Sequence, residues 1–126
     1  MGNDLIPLVA AVDDDFRIRE SLASLLESAG FALVVFRSGE EFLDSGTLAA
    51  AACVITDVRM TGMDGIELQR RIKLQRPKLP VILVSAHHND EVRQRAIDEG
   101  AAAFLYKPFD AIDLLKLVQS AVTKAS

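Results

Sequence analysis

The sequence predicts an α/β fold in which one parallel sheet of five strands is covered by helices on both faces. Five short apolar runs are typical of strands buried on both faces, and they begin near residues 8, 31, 52, 81 and 102. Apolar residues at helical spacing lie between successive runs. Because parallel strands need helical crossovers, this alternation indicates a doubly wound sheet.

Each of the five predicted strands is flanked by polar residues, glycine or proline. They are expected at Leu8–Val12, at Phe31–Phe36, within the stretch Ala52–Met60 up to Asp57, at Val81–Val84 and at Ala102–Tyr106. The third run delivers Asp57 to the C-terminal end of its strand. The lone Cys53 lies inside this run, where we interpret it as a small buried hydrophobe rather than a reactive thiol.

Capping and stop signals mark the predicted helices. Gly30 ends the first helix, which starts at Phe16 and is capped by Asp15. Ser38 and Glu41 form a capping-box signature for a short second helix. The third helix spans Ile66–Gln75, the fourth Asp90–Glu99, and Asp110 caps the fifth. The fourth helix has a thin apolar stripe of Val92, Ala96 and Ile97, so we expect it to be held least firmly.

Composition favours one domain over residues 1–126 and excludes several classes of protein. The apolar runs are far shorter than the ~20 residues of a membrane-spanning helix, and residues 1–4 lack the basic start of a secretory signal. We therefore expect a cytoplasmic protein that makes no membrane contact. The net charge is −4 and Lys and Arg do not cluster, which argues against direct nucleic-acid contact.

Reactive side chains follow four of the five predicted strands. Asp13 and Asp14 follow the first strand, Asp57 ends the third, Ser85 follows the fourth, and Lys107 follows the fifth. The carboxyl ends of parallel strands share one edge of a sheet. Crowded carboxylates raise one another's pKa unless a cation compensates. Mg²⁺ takes one or two carboxylates and several waters, so this set predicts a magnesium site.

Three other functions are compatible with part of this pattern. A haloacid-dehalogenase-like phosphatase would use the Asp13 and Asp15 spacing, although such enzymes need a longer chain with a cap. An FMN binder of flavodoxin type would need a phosphate loop rich in Ser, Thr and Gly after the first strand, where this chain has carboxylates. A docking module that is never phosphorylated is the third alternative.

The ordered motifs resemble the receiver domain of bacterial two-component response regulators, especially receivers that precede helix-turn-helix output domains. The motifs are Val12–Asp14, Thr56–Met60 followed by Gly62–Gly65, Val84–Ala86, and Lys107–Phe109. The resemblance implies a flavodoxin-like sheet with strand order 2-1-3-4-5. We expect residues 1–126 to be the receiver, with no output domain in this chain.

The resemblance also implies a role for each reactive residue. Asp57 corresponds to the phosphoacceptor that takes a phosphoryl group from a histidine kinase. Asp13, Asp14, Asp57 and the backbone carbonyl of Arg59 correspond to the Mg²⁺ ligands, and Lys107 would pair with the phosphoryl group. Such a domain is a switch that promotes its own phosphorylation and slow dephosphorylation, not an enzyme that turns over a substrate.

Further positions resemble the parts that transmit the switch. Ser85 corresponds to the hydroxyl that moves toward the phosphoryl group, and Phe104 to the switch aromatic, although Phe104 is equally well read as a core residue. The face formed by the fourth helix, fifth strand and fifth helix would be the output surface and, after phosphorylation, a homodimer interface. Arg59 and His87 correspond to positions that tune dephosphorylation. Tyr106 is interpreted as a surface or interface residue.

One position departs from the family pattern. Thr61 stands where receivers usually have proline, four residues after the acceptor. Because proline fixes φ, threonine should leave this loop freer. No reactive group is missing, so the departure concerns the geometry of the loop and the balance of the switch. The resemblance also implies a cis peptide bond at Lys107–Pro108.

Overall fold

A computed structural model describes residues 6–125 and has the predicted parallel sheet. The strands are β1 (Leu8–Val12), β2 (Ala32–Phe36), β3 (Cys53–Asp57), β4 (Val81–Ser85) and β5 (Ala103–Tyr106). Their order in the sheet is β2-β1-β3-β4-β5, and each neighbouring pair is parallel. The predicted order is therefore confirmed. Residues 1–4, on which the argument against a secretory signal depends, lie outside the described residues.

Five α-helices connect and follow the strands, as predicted. They are α1 (Phe16–Ser28), α2 (Gly39–Asp44), α3 (Gly65–Gln75), α4 (Asp90–Asp98) and α5 (Ala111–Ala125). A short 3-10 helix at Thr47–Ala49 lies in the alanine-rich segment before β3, where no element was predicted. Within residues 6–125, none of these helices has both the length and the apolar character needed to span a bilayer.

The helices begin where the capping residues predict. The Asp15 carboxylate accepts a hydrogen bond from the backbone N–H of Arg17 at 2.9 Å, and the Ser38 hydroxyl accepts one from that of Glu41 at 3.0 Å. The second half of the predicted capping box is wrong. The Glu41 carboxylate accepts from the N–H of Arg37 at 2.7 Å rather than from Ser38, so it fixes the chain one residue before the cap.

Two apolar clusters lie on opposite faces of the sheet, because successive residues of a strand point to opposite sides. One cluster joins the sheet to α1 and α5 through Val9, Leu26 and Leu114. The other joins it to α2, α3 and α4. Cys53 is fully buried, and burial raises the pKa of its thiol to about 12, which confirms its interpretation as a buried hydrophobe.

The prediction of five fully buried strands is wrong for the two at the edges of the sheet. The residues of β3 and β4 are all buried, but every residue of β5 is only partly buried. In β2, Val34 and Val35 are exposed. An edge strand lacks a neighbour on one side, so the flanking helices cover it incompletely.

α4 buries little apolar surface against the sheet, as its thin apolar stripe predicted. Ala96 is its fully buried residue, and Val92 packs partly against the core. Ile97 was expected in this stripe but is 37% exposed, because it lies on the solvent side of the helix. Polar contacts with α3 compensate: Gln69 Nε2 donates to the carbonyl of Ala96 at 3.2 Å, and Arg70 forms an ion pair with Glu99 at 2.6 Å.

Candidate functional site

Three carboxylates meet at the C-terminal edge of the sheet. β1 pairs directly with β3, with Val12 opposite Thr56, so the residues that follow, Asp13 and Asp57, lie side by side. One carboxylate oxygen from each of Asp13, Asp14 and Asp57 lies within 4.8 Å of the others. Asp13 and Asp57 are 1% and 8% exposed, whereas Asp14 is exposed. The structure therefore brings the predicted acidic group together.

Lys107 reaches this group from the end of β5. Its Nζ lies 2.9 Å from Asp13 Oδ2 and 3.5 Å from Asp57 Oδ2. The backbone of Lys107 is fixed as well, because its N–H donates to the carbonyl of Ser85 at 2.8 Å. The Lys107–Pro108 peptide bond is cis, as expected. One ammonium group thus connects the ends of β1, β3 and β5.

The charge at this edge is not balanced by Lys107. Burial raises the pKa of Asp57, and the charge of Asp13 raises it further, whereas Lys107 and a hydrogen bond from the backbone N–H of Arg59 lower it without cancelling the effect. For Lys107, burial lowers the pKa, but the hydrogen bond and charge of Asp13, joined by Asp57, outweigh it and leave the pKa raised. Three carboxylates around one ammonium leave an excess of negative charge.

The donor set fits a hard divalent cation. All three candidate side-chain ligands are carboxylates, whose oxygens are the ligands that Mg²⁺ prefers. Asp14 keeps the site open to solvent, which leaves room for the waters that Mg²⁺ retains. Arg59, whose side chain is exposed, follows Asp57 by two residues. The use of its backbone carbonyl as a further ligand stays a prediction.

Ser85 lies at the same edge but its hydroxyl is engaged elsewhere. The Ser85 side chain is buried, and it ends β4, beside β3. Its Oγ donates to the carbonyl of His87 and accepts from the N–H of His87, both at 3.1 Å. The hydroxyl is therefore bound to the β4–α4 loop. The side chain of His87 itself is exposed.

An aromatic group on β5 faces α4. Phe104 is partly buried against the cluster beneath α2, α3 and α4, and its ring lies edge-on to Tyr106, with centroids 5.4 Å apart. The Tyr106 hydroxyl donates to Asp90 Oδ1 at 3.2 Å, and its ring stacks on His88 at 4.1 Å. Tyr106 is thus partly buried and bonded to α4, and its interpretation as a surface or interface residue stays a prediction.

Two residues that shape the site were given no role in the sequence analysis, Arg19 and Gly65. Arg19 Nη1 donates to the backbone carbonyl of Asp13 at 2.8 Å, and no sequence pattern marks an arginine on the first helix for this contact. The N–H of Gly65 donates to the carbonyl of Val58 at 2.8 Å. A Cβ atom on Gly65 would overlap the backbone carbonyl of Asp57. A glycine that begins a helix directly after a capping residue was the available signal.

We expect Asp57→Asn to increase the free energy of unfolding of the metal-free protein at neutral pH. The folded-state pKa of Asp57 is raised above its ordinary value of 3.8. Its contribution to stability is therefore present below that value and is lost as the pH rises through the folded-state pKa. Removing the ionised group should therefore raise the free energy of unfolding at neutral pH. Urea unfolding in the presence of a chelator measures the difference.

The same measurement at a pH below the ordinary pKa of an aspartate provides the control. At that pH Asp57 of the wild type is protonated, so it is neutral like the asparagine of the variant. The stability difference should shrink there. A variant that is no more stable than the wild type at neutral pH would contradict the charge imbalance described above.

Comparisons with known proteins identify the family. Residues 9–119 match the model of the response regulator receiver domain. The chain is 38% identical over 117 residues to the transcriptional regulatory protein FixJ of Bradyrhizobium diazoefficiens, covering 93% of this chain and 57% of FixJ. The chain therefore spans little more than half the length of that relative.

Solved structures agree with the match. A response regulator receiver domain protein from Clostridium thermocellum superposes with a TM-score of 0.90 at 28% identity, over 94% of this chain and 96% of the other. The beryllofluoride-activated NtrC4 receiver domain dimer superposes with a TM-score of 0.88 at 28% identity, over 94% and 98%. The chain belongs to the response regulator receiver domains, the signalling switches of two-component systems.

Proposed function

We propose that this receiver accepts a phosphoryl group on Asp57 from the phosphohistidine of a histidine kinase, in a reaction that requires Mg²⁺. One observation carries the proposal: the Asp57 carboxylate lies at the end of a central strand with two further carboxylates and one ammonium group around it. Phosphoryl transfer demands positioning and charge compensation above all. These groups supply both at one edge of the sheet.

The chemistry follows from the residues at this edge. A carboxylate oxygen of Asp57 attacks phosphorus, and the bond from phosphorus to the kinase's histidine nitrogen breaks with its electron pair left on the imidazole. Mg²⁺ held by Asp13, Asp14, Asp57 and the Arg59 carbonyl would offset the charge on the phosphoryl oxygens. Lys107, which lies 3.5 Å from Asp57 Oδ2, then pairs with the phosphoryl group while Asp13 keeps the ammonium in place.

Phosphorylation would shift a conformational equilibrium through Ser85. Its hydroxyl would leave the backbone of His87 for a phosphoryl oxygen and draw the β4–α4 loop with it, and Phe104 would move inward as the loop moves. Because α4 is buried chiefly at Ala96, rearranging it breaks few apolar contacts. A new dianion biases such an equilibrium toward a state that already exists.

We propose that the face formed by α4, β5 and α5 contacts the output domain or partner after phosphorylation. The same face would join two phosphorylated copies. The NtrC4 receiver, activated by beryllofluoride, is a dimer, and this supports the homodimer. We propose that residues 1–126 act as the receiver unit in the cytoplasm, where transcription is controlled, and that a separate domain contacts DNA. The negative charge of this chain supports that division.

The proposal is tested with a small-molecule phosphodonor and Mg²⁺, followed by intact mass measurement. We expect a single phosphoryl adduct that depends on Mg²⁺ and is labile to alkali, because acyl phosphates hydrolyse readily in base. Asp57→Asn should give no adduct. Mg²⁺ binding without any adduct would favour the docking module, and an adduct that persists in the variant would show that another residue is the acceptor.

Arg59 and His87 are proposed to slow the loss of the phosphoryl group. Both side chains are exposed on the two loops that flank Asp57, where they can hinder an attacking water. Replacing both with alanine should accelerate dephosphorylation by roughly tenfold, which corresponds to about 1.4 kcal/mol in the barrier. The decay of the purified phosphoprotein measures this, with His88→Ala as the control, and an unchanged decay rate in the double variant would refute the role.

A further inference from the structure

The β3–α3 loop, residues 58–64, is fixed at both of its ends by the backbone. The N–H of Val58 donates to the carbonyl of Val84 at 3.0 Å, and the N–H of Gly65 donates to the carbonyl of Val58 at 2.8 Å. Between these points the loop contains no proline, and Gly62 has a φ of +82°. Glycine allows that conformation without enforcing it. The conformation of the loop's middle therefore depends on contacts from outside the loop.

Glu40, in the first turn of α2, provides the outside contact. Its Oε2 accepts a hydrogen bond from the N–H of Met63 at 3.0 Å, between residues 23 positions apart. The same oxygen lies so close to Gly62 that a Cβ there would come within 2.8 Å of it. Hydrogen bonds from its own N–H and from that of Met63 lower the pKa of Glu40, in keeping with an ionised acceptor.

The side chain of Met63 strengthens this contact. A Cβ on Gly39 would lie 3.2 Å from Met63 Sδ, so the thioether packs directly against the backbone at the start of α2. Met63 also packs against the apolar cluster on that face of the sheet. The start of α2 and the middle of the loop thus fit together through a hydrogen bond and a close apolar contact.

We propose that Glu40 is a positioning residue for the Asp57 site. This inference depends on the proposed function. The held loop carries Arg59, whose backbone N–H donates a hydrogen bond to the Asp57 carboxylate and whose carbonyl is the proposed further Mg²⁺ ligand. With Met63 held by Glu40, the Arg59 peptide keeps one orientation. Without the hydrogen bond from Met63 to Glu40, the loop between Val58 and Gly65 adopts several backbone conformations. Mg²⁺ binding must then select one of these conformations.

A role confined to α2 is the alternative, because an acidic residue in the first turn stabilises a helix by itself. Glu41 separates the two roles. It belongs to the same first turn and carries the same charge, but its carboxylate accepts from the N–H of Arg37 at 2.7 Å. Glu41→Ala therefore removes a neighbouring charge and helix contact while leaving the contact to Met63 intact.

The experiment uses the full chain, Mg²⁺ alone and isothermal titration calorimetry on the wild type, Glu40→Ala, Glu40→Gln and Glu41→Ala. We expect Glu40→Ala to weaken Mg²⁺ binding roughly fivefold, the size associated with one hydrogen bond. Glu40→Gln keeps a carbonyl that can accept from Met63 and should retain most of the affinity. Phosphorylation by a small-molecule donor should slow in Glu40→Ala at low Mg²⁺ and recover when Mg²⁺ saturates.

Each outcome decides the inference. Equal Mg²⁺ affinities for Glu40→Ala and Glu41→Ala would overturn it, and so would a Glu40→Gln variant as weak as Glu40→Ala, since charge alone would then explain the loss. If the wild type binds Mg²⁺ and is phosphorylated while Glu40→Ala matches it, only the role of Glu40 fails. If the wild type does not bind Mg²⁺, the proposed site fails and this inference fails with it.

Discussion

The ion pair between Lys107 and Asp13 is the interaction on which the functional edge of the sheet depends. Asp13 is almost completely buried, and a buried carboxylate without a partner would cost several kcal/mol. The ammonium of Lys107, 2.9 Å away, compensates it and joins strands that do not touch, β1 and β5. The same ammonium lies 3.5 Å from Asp57. One ammonium group cannot neutralise Asp13, Asp57 and Asp14 together, and this excess of negative charge makes the edge a candidate cation site.

The order of the strands connects this edge of the sheet to α4. The register of β4 places Ser85 opposite Tyr106 on β5, and the hydroxyl of Tyr106 is bonded to Asp90 at the start of α4. α4 itself is connected to its neighbours by polar contacts more than by apolar burial. One of these contacts, the Gln69 amide, leaves its Oε1 without a partner among the described residues. A buried amide oxygen without a hydrogen-bond donor costs free energy, which offsets part of what the bond from Gln69 to Ala96 contributes.

The fold and the acidic group could be predicted because both follow from short-range patterns. Apolar runs set the strands, and parallel strands bring Asp13, Asp57 and Lys107 to one edge. The partial burial of β5 and the exposure of Ile97 could not be predicted, since both depend on how neighbouring elements cover each other. The contact of Glu40 with Met63 joins residues 23 positions apart through a loop whose path no local pattern fixes. The roles of Ser85, Phe104, Arg59 and His87 stay predictions, because they concern a phosphorylated state.

Lys107 leaves negative charge uncompensated at the strand ends, and we infer that this charge makes them a divalent-cation site. The most direct test is the free energy of unfolding of the wild type as a function of Mg²⁺ concentration, against KCl at matched ionic strength. A ligand that binds only the folded state adds about 1.4 kcal/mol for each tenfold rise in concentration above its dissociation constant. We expect that dependence in Mg²⁺ and none in KCl. Identical curves in the two salts would contradict the account, because the edge would then respond to ionic strength alone.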